Sequence, residues 1–430
     1  MMKYIFVLIS IFVGSSTFAQ DGTLKAISAK GSILKVVELV VKRNTLYTSL
    51  DPDFLHTSLV LQLAQVNQNM EGSYLFFGES DKRYFKTGEH SPNDESFISS
   101  ELVIARKPST TFSFFSGNLE GKVVFKLIYA KPLKNSGKPA KKKTLIDCDF
   151  PTVIDQDIWR AGLPVPTITP FSHIVNHVIL HHSAGSNTDT DYLNIVRNIY
   201  LFHTQVNNYD DMGYNYLVAP NGDIYAGRDG FGLEDDNTKG AHFCNKNNNT
   251  MGICLLGNYQ TAIPTDTALQ SISQLIAWKL KKENINPLDS VLHPENLPGQ
   301  FLLGTIAGHR NGCATECPGD NYFNKIDSLK NVVASKLTTC NLTALPPFTH
   351  LHNAVSVYPN PTSNSIIINS VQTIIQYQII NLFGNTLYTN FPNTNNTTFN
   401  FQTIAAVPGL YFIRINTISG WRSYKLFLTP

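Results

Sequence analysis

Charged side chains are scarce in this sequence. They make up 15% of its 430 residues, and the 34 Lys and Arg residues nearly balance the 32 Asp and Glu residues. A chain without an excess of one charge offers no broad basic surface to a phosphate backbone, which argues against nucleic acid as a partner. Hydrophobic residues make up 42% of the chain, enough for two or three cores, which excludes a disordered polymer.

Long hydrophobic runs are missing beyond the first twenty residues, which argues against an integral membrane segment. At the start, Lys3 precedes a largely apolar run over residues 4–13, and small residues lead up to Ala19. This order predicts a signal peptide over residues 1–19. A transmembrane anchor would need roughly 20 apolar residues in a row, more than this run holds. We therefore expect the mature protein to leave the cytoplasm.

Cysteine is also rare, with six residues in the chain. In an exported protein these cysteines predict disulfides. Cys244 and Cys254 flank the turn-rich segment NKNNNT and are the candidate local pair. The sequence alone does not fix the other pairings.

Composition divides the mature chain into parts. Residues 20–130 hold short β-branched and aromatic runs broken by Gly, Asn, Asp and Ser, which predicts an all-β accessory module. Residues 131–147 are rich in Lys and Pro and predict an extended linker, a simpler interpretation than a contact with anionic wall polymers. The aromatic residues of the module favour a core over a sugar-binding surface. They are Tyr74, Phe76, Phe77, Tyr84, Phe112 and Phe114.

The pattern changes over residues 148–340, where strand-like runs alternate with segments of helical spacing. Residues 341–354 predict a second linker, and residues 355–430 return to short β runs. The expected fold class is multidomain, with an α/β domain of central mixed sheet and flanking helices between an N-terminal all-β module and a C-terminal small β-sandwich. The helical stripes are Tyr192, Ile195, Val196, Ile199 and Phe202; Leu269, Ile272, Ile276 and Leu280; and Ile326, Leu329, Val333 and Leu337.

Three residues of the α/β region suggest a metal site. His181 ends the run VILH, His309 follows TIAG, and Cys317 lies in ECPGD. Imidazole and thiolate suit Zn²⁺, and a catalytic zinc uses three protein ligands with the fourth position open. By spacing alone, a structural role for each residue stays open.

Six segments in order give this region a family resemblance. They are IWRAGLP, VILHHSAG, VRNIYLFH, DDMGYNYLVAPNGDIYAGRDG, GAHFCNKNNNTMGICLLGNY and GHRNGCATECPGD. Together they resemble the zinc-dependent N-acetylmuramoyl-L-alanine amidases and the peptidoglycan recognition proteins of the same fold. The resemblance covers most of residues 148–340 and implies that His181, His309 and Cys317 bind zinc.

The resemblance also implies roles for other residues. Tyr214 matches a tyrosine beside the metal, and Thr315 matches a residue near the scissile carbonyl, so both are catalytic candidates that can hydrogen-bond an oxyanion. His203 and His242 are candidates for substrate contact or for packing. Arg310 is a candidate contact for a muropeptide carboxylate, with a structural ion pair as the alternative, and the same choice applies to Arg228.

Two neighbours of the predicted ligands have structural interpretations. Strand alternation turns His182 to the face opposite His181, which favours a structural hydrogen bond. A Cys313–Cys317 disulfide would remove the thiolate ligand. We therefore expect Cys313 to pair with another nonligand cysteine, such as Cys148 or Cys340, leaving one free thiol among the five.

The function implied is hydrolysis of the amide between N-acetylmuramic acid and L-alanine in peptidoglycan by zinc-activated water. The recognition proteins that only bind their ligand typically lack the cysteine ligand, so Cys317 favours catalysis. A noncatalytic peptidoglycan-binding protein is the alternative, and a cysteine peptidase using Cys317 with His309 is a weaker one. We expect a monomer.

The last 75 residues resemble the C-terminal sorting domains of the type IX secretion system. The matching segments are VYPNPTSNSIIIN, YQIINLFGNTLY and AVPGLYFIRINTISGWRSYKLFL, although the usual basic residue near the end is absent. The resemblance implies type IX machinery as a partner and a secreted or cell-surface location. An adhesive β-sandwich kept in the mature protein is the alternative.

Overall fold

The computed structural model describes residues 22–63, 70–77, 81–85, 98–133, 148–166, 170–293, 299–340, 355–381, 385–417 and 420–430. The predicted signal peptide, the second linker and residues 134–147 of the first linker lie outside these ranges. The chain forms two compact units, Met1–Leu342 and Thr343–Pro430. Within the described ranges, every helix is too short or too polar to cross a membrane.

The N-terminal part of the first unit is built from strands. They are β1 (Lys25–Lys30), β2 (Leu34–Val41), β3 (Leu46–Leu50), β4 (His56–Leu63), β5 (Tyr74–Phe77), β6 (Asp81–Tyr84), β7 (Ile98–Ser99), β8 (Val103–Ser109), β9 (Phe112–Phe115) and β10 (Gly121–Ile128). One antiparallel sheet has the order β1-β2-β10-β4-β7, with β8 also paired to β4, and the other has the order β3-β9-β5-β6. We call this part the β module.

The aromatic residues of the β module divide between its two sides. Phe77, Phe112 and Phe114 are buried in the core between the sheets, as the core interpretation predicts. Tyr74 and Phe76 are half-buried on the outer side of β5, and Tyr84 is 60% exposed. The core interpretation therefore holds for the first three residues only.

The middle of the chain combines a mixed sheet with helices. Its strands are β11 (Val153–Ile154), β12 (His177–His182), β13 (Tyr216–Val218), β14 (Ile224–Ala226), β15 (Thr250–Leu255), a hairpin of β16 (Ser290–His293) and β17 (Phe301–Gly304), and β18 (Ile306–Gly308). The sheet order is β11-β14-β13-β15-β12-β18. Only the β13–β14 pair is antiparallel among the described pairings of this sheet.

Five helices are described in this region: three form at the predicted apolar stripes, and two short ones, over residues 156–159 and 320–323, correspond to no predicted stripe. They are α1 (Gln156–Trp159), α2 (Tyr192–Leu201), α3 (Asp266–Glu283), α4 (Asp320–Phe323) and α5 (Ile326–Thr339), with a π-helical turn at Phe202–Val206 and 3-10 turns at Asp235–Asn237 and His309–Asn311. The Asp191 side chain accepts a hydrogen bond from Asn194 N at the start of α2. Thr265 caps α3 in the same way through Ala268 N. Such caps satisfy backbone donors that the first turn leaves open.

Alternation along the strands gives the sheet two different faces. Val178 and Leu180 of β12 pack against α3 and α5 in one core. Ile179 and His181 point to the other face, which α2 partly covers. The predicted metal site therefore lies on the α2 face of the sheet.

The β module packs directly on α2. Leu34 and Ile128 of the module share a buried cluster with Ile195 and Ile199 of α2. The buried Thr57 hydroxyl donates a hydrogen bond to the Asn198 side-chain oxygen over 2.7 Å. The predicted linker therefore joins two parts that share one core.

The disulfides differ from the candidate pairing. Cys148 bonds Cys340, and Cys244 bonds Cys313. The predicted Cys244–Cys254 pair is wrong because Cys254 is buried within β15. Cys244 is exposed in the preceding loop, where its Sγ lies 3.7 Å from Gly312 O in the loop after β18. Cys313 pairs with a nonligand cysteine and one nonligand thiol, Cys254, stays outside a disulfide, both as expected. The partners named for Cys313, Cys148 and Cys340, are wrong, because those two cysteines bond each other and Cys244 lies beside Cys313.

The second unit contains two antiparallel sheets. Its strands are β19 (Val355–Tyr358), β20 (Ser365–Ile374), β21 (Gln376–Ile380), β22 (Thr386–Asn390), β23 (Thr394–Asn400), β24 (Gly409–Thr417) and β25 (Gly420–Leu428), with a 3-10 turn at Phe401–Ile404. The orders are β19-β20-β23 and β22-β21-β24-β25. Alternating residues of both sheets share one core, including Ile366, Ile379 and Ile413. The tail is therefore rich in β-structure, as predicted.

Candidate metal centre

Strand pairing brings two of the predicted ligands together. Leu180 of β12 lies opposite Gly308 of β18, so the next residues along the two parallel strands, His181 and His309, are neighbours. Their ring centroids are 4.5 Å apart. Residues 128 positions apart in sequence thus meet at the carboxyl ends of adjacent strands, where open α/β sheets place their sites.

Cys317 completes the cluster. The ligand atoms of His181, His309 and Cys317 all lie within 4.8 Å of one another, and the three side chains are buried. Cys317 Sγ is 3.7 Å from His181 Nδ1. A set of two imidazoles and one thiol, brought together away from solvent, fits Zn²⁺ in both donor type and number.

Backbone N–H groups hold the loop that carries Cys317. The His182 N–H donates to Cys317 Sγ over 3.4 Å. The Cys317 N–H donates to the Thr315 hydroxyl over 3.1 Å, and its carbonyl accepts from Arg310 N over 3.0 Å. Donors that face a sulfur stabilise its thiolate, the form that binds metal.

His242 lies directly behind His181. Its Nδ1 is 3.0 Å from His181 Nε2, so the His181 ring is held through the nitrogen that faces away from Cys317. Gly252 leaves the space for this ring, because a Cβ there would lie 2.6 Å from His242 Cδ2. Burial lowers the pKa of His242 to about 3, which keeps the imidazole neutral at physiological pH.

Tyr214 packs beside the His181 ring. Its ring centroid is 5.2 Å from that of His181, and the side chain is 4% exposed. Burial raises the pKa of its hydroxyl well above the ordinary value, and the nearby Cys254 side chain, with which it hydrogen-bonds, adds to the shift. The phenol is therefore protonated at neutral pH and able to donate a hydrogen bond.

His203 supports the loop that carries Tyr214. Its Nδ1 accepts a hydrogen bond from Gly213 N over 3.0 Å, and its ring lies 5.4 Å from the Tyr214 ring. The side chain is buried. The printed contacts of His203 thus place it beside the Tyr214 loop, and contact with substrate stays a prediction.

Known proteins resemble the chain over the region that carries this cluster. Residues 171–320 match the family described as N-acetylmuramoyl-L-alanine amidase. Peptidoglycan-recognition protein SC2 of Drosophila melanogaster is 30% identical over 183 residues, which are 42% of this chain and 87% of that protein. The peptidoglycan recognition protein of Trichoplusia ni is 29% identical over 176 residues, which are 40% of this chain and 85% of that protein.

This chain belongs to the family of N-acetylmuramoyl-L-alanine amidases and peptidoglycan recognition proteins. Among solved structures, wild-type Drosophila PGRP-LB is 27% identical with a TM-score of 0.33, over 41% of this chain and 92% of that one. The endolysin amidase LysCS of Clostridium intestinale is 22% identical with a TM-score of 0.32, over 43% of this chain and 98% of that one.

The tail matches a second family. Residues 356–428 match the secretion system C-terminal sorting domain. The chain therefore carries a type IX sorting domain, as its sequence resemblance predicts, and this domain implies delivery to the cell surface or the outside of the cell.

The arginines of the amidase domain form ion pairs. Arg310 Nη1 is 2.6 Å from Asp320 Oδ1, and Arg228 Nη2 is 2.5 Å from Asp210 Oδ1. The sequence analysis gave such structural ion pairs as the alternative to contact with a substrate carboxylate. Substrate contact by Arg310 stays a prediction.

His182 follows the expected alternation in the amidase domain. Its side chain is buried on the face opposite His181, and its Nδ1 accepts a hydrogen bond from Tyr259 N over 3.2 Å. Two further neighbours of the metal cluster were not predicted to lie near it: Gly252, which accommodates His242, and Cys254, which contacts Tyr214 and was expected in a disulfide. Their only sequence signal is the alternation of MGICLLG, which puts both on the His181 face.

Proposed function

We propose that the protein is a secreted zinc hydrolase that cleaves the amide between N-acetylmuramic acid and L-alanine in peptidoglycan. The observation that carries this proposal is the buried cluster of His181, His309 and Cys317, whose ligand atoms lie within 4.8 Å of one another. Zinc held there would supply a Lewis acid that activates water and polarises a carbonyl. Family membership supports the choice of peptidoglycan as substrate.

Tyr214 and Thr315 are the proposed catalytic residues. The protonated phenol of Tyr214 can donate to the oxygen that becomes negative as the amide carbonyl is attacked. The Thr315 hydroxyl accepts from Cys317 N–H, and a hydroxyl that accepts can also donate, so it is the second candidate donor. Oxyanion donors of this kind typically contribute about 100- to 1000-fold in kcat.

The two further histidines have positioning roles in this proposal. His242 orients the His181 ring through the 3.0 Å contact between Nδ1 and Nε2. His203 holds the Gly213 backbone next to Tyr214. Contact of either residue with substrate stays a proposal, and Arg310 would reach substrate only by leaving its pair with Asp320.

Secretion sets the place of action. The predicted signal peptide would direct export, and the sorting domain would hand the protein to the type IX machinery. The substrate would then be wall material met outside the cell that makes the protein.

The test is mass spectrometry of purified peptidoglycan incubated with the mature chain. We expect release of peptides with a new L-alanine amino terminus, loss of this release with a zinc chelator, and recovery when zinc is added. The Cys317→Ser variant should lose bound zinc and at least 100-fold in activity, because it removes one of three ligands. The exposed neighbour Glu316 supplies the matched control, since Glu316→Gln should retain both.

A noncatalytic recognition protein is the second candidate, because several relatives are named recognition proteins. Zinc-loaded, folded protein that binds peptidoglycan and releases no peptide would favour this candidate. Such a result would overturn the hydrolase proposal.

A further inference from the structure

Three aromatic rings form a row on the outer side of the β module. Phe115 of β9, Tyr74 of β5 and Tyr84 of β6 lie opposite one another in adjacent antiparallel strands. The Tyr74 ring centroid is 4.8 Å from that of Phe115 and 5.5 Å from that of Tyr84. Two strand spacings make this row about 10 Å long. Strand alternation turns the row away from the core, into which Leu75 and Phe114 point instead.

The Tyr84 end of this row is open to solvent. Tyr84 is 60% exposed, whereas Tyr74 and Phe115 are half-buried. Clustered aromatic side chains at a folded surface are typical of binding sites, because their apolar faces gain free energy when a ligand covers them. A pyranose ring is such a ligand, since its axial C–H bonds form an apolar face. Tyr84 therefore fits the sugar-binding alternative rather than the core.

A lysine gives this surface a positive charge. Lys82 is exposed and lies two residues before Tyr84, on the same side of β6. Its Nζ is 3.6 Å from the Tyr74 ring centroid and 4.7 Å from the Tyr84 ring centroid, and such ring faces stabilise a cation. A hydrogen bond with the Tyr84 side chain raises the pKa of Lys82 above its ordinary value. Among the described residues, no carboxylate forms an ion pair with Lys82, so its ammonium can bind an anion.

The back of β6 holds this surface against the amidase domain. Arg83 points to the side opposite Lys82, and its Nη2 is 2.9 Å from Asp189 Oδ1. Asp189 lies in the loop that follows β12, the strand that carries His181. A ligand on the outer side of β6 is therefore held by the same compact unit as the metal cluster.

The proposed reaction makes a ligand with matching chemistry. Hydrolysis breaks the bond between the lactyl carbonyl carbon and the L-alanine nitrogen. The oxygen of the water stays on that carbon as part of a carboxylate, and the two protons of the water end on the nitrogen, which leaves as an ammonium. The glycan product therefore carries a free carboxylate at each N-acetylmuramic acid that has lost its peptide, whereas the uncleaved strand carries a neutral amide there. A sugar ring beside a carboxylate matches an exposed aromatic ring beside an ammonium.

We propose that the outer side of β5 and β6 binds glycan strands from which the stem peptides have been removed. Tyr84 packs against a sugar ring, and Lys82 binds the lactyl carboxylate of N-acetylmuramic acid. The inference rests on the proposed function, because that reaction creates the carboxylate. The surface keeps the protein on the strand that it has cleaved, and it lies outside residues 171–320, which match the amidase family.

The test is calorimetric titration of the mature chain with a tetrasaccharide of alternating N-acetylglucosamine and N-acetylmuramic acid, which carries no peptide and so no scissile bond. The comparison ligand is the same tetrasaccharide with its lactyl carboxylates amidated. Wild type should bind the free acid about fivefold more tightly than the amidated form, as one exposed ion pair would give. High salt should reduce this preference, because it screens an exposed charge.

Substitutions at the surface test the two side chains separately. Lys82→Gln should lose the preference for the free acid, and Lys122→Gln, at an exposed lysine of the other sheet, should keep it. Tyr84→Ala should weaken binding of both tetrasaccharides about tenfold, because it removes the stacking ring. Tyr84→Phe keeps the ring and should bind both within about twofold of wild type.

An equal preference for the free acid in wild type and Lys82→Gln would overturn the proposal, as would unchanged affinity in Tyr84→Ala. A tetrasaccharide bound at the metal cluster would give both of these results. Tighter binding of the tripeptide L-alanyl-γ-D-glutamyl-L-lysine than of the tetrasaccharide, lost in Lys82→Gln, would assign the surface to a peptide carboxylate and also overturn the proposal.

The glycan surface and the hydrolase fail separately. Tetrasaccharide binding that depends on Lys82 and Tyr84, in a protein that releases no peptide from peptidoglycan, supports the glycan surface and overturns the hydrolase. Peptide release by a protein that binds the free acid and the amidated form alike supports the hydrolase and overturns the glycan surface.

Discussion

At the scale of single residues, the geometry of the proposed metal centre depends on a glycine as well as on the three proposed ligands. His242 contacts His181 only because Gly252 has no side chain, since a Cβ would approach the His242 ring to 2.6 Å. Outer contacts of this kind fix the orientation of a metal-binding histidine.

We expect Gly252→Ala to displace His242 from His181. Zinc affinity should fall about 10-fold, and the free energy of unfolding should fall by about 1 to 3 kcal/mol because the added methyl overpacks a buried site. Zinc titration and denaturant unfolding measure the two effects. Gly185→Ala is the control, because its Cβ would lie 3.6 Å from the nearest atom, Ser183 Oγ. Unchanged zinc affinity in Gly252→Ala would contradict a positioning role for His242.

At this scale the sequence could predict which three residues form the cluster, the proposed zinc ligands, but not the His242 contact that holds His181. His181, His309 and Cys317 each lie in a recognisable motif, and the structure places them together. The His181–His242 contact joins residues 61 positions apart and depends on the parallel register of β12 with β15. Register between distant strands leaves no local pattern in the sequence, and neither does the Cys244–Cys313 bond.

At the scale of elements, β12 carries a third buried histidine, at its start. His177 Nδ1 donates to Gly304 O over 2.9 Å, and its ring meets His293 edge to face at 4.9 Å. Burial lowers the pKa of His177 to about 4, below the ordinary 6.5. The folded state therefore favours the neutral form of His177. The neutral imidazole contributes its full stabilisation above pH 6.5, and this contribution is lost as the pH falls toward 4.

We expect His177→Gln to flatten the pH dependence of stability. In the wild type, His177 alone should cost on the order of 3 kcal/mol between pH 6.5 and 4, because each unit of pKa shift corresponds to about 1.4 kcal/mol. Denaturant unfolding at pH 4.5 and pH 7 measures the slope for both proteins. Equal slopes would mean that His177 is protonated without cost in the folded state.

Element types were more predictable than their exact ends. The apolar stripes of α2, α3 and α5 match the helices observed, since a face that packs on a sheet needs residues at helical spacing. The apolar run over residues 174–180 predicts a strand, but β12 begins only at His177. The N–H groups of Asn176 and His177 both donate to Asn249 O, just before the ladder with β15 begins.

At the scale of the whole molecule, composition did not reveal that the β module and the amidase domain share a core. A Lys- and Pro-rich segment predicts a spacer, but it carries no information on whether the parts that it joins also pack together. That packing depends on Leu34 and Ile128 of the module meeting α2, and on the buried Thr57–Asn198 hydrogen bond.

Thr57→Val should therefore destabilise the β module and the amidase domain together. The change leaves Ala130 N–H and the Asn198 side-chain oxygen without the Thr57 hydroxyl, which should cost about 1 to 3 kcal/mol. Denaturant unfolding followed by fluorescence and by circular dichroism measures this loss. Thr48→Val, at a half-buried position of β3, should stay within about 0.5 kcal/mol of wild type. Separate transitions for module and amidase domain would show that the two do not fold as one.

The two disulfides have a practical consequence for work with this protein. As a ligand in the proposed zinc site, Cys317 needs a reduced sulfur, whereas the Cys148–Cys340 and Cys244–Cys313 disulfides of the same chain are oxidised. A thiol reagent added during purification to keep Cys317 reduced would also reduce both disulfides. The protein should therefore be prepared in an oxidising compartment with zinc supplied from the start, so that the metal, rather than a reductant, shields Cys317.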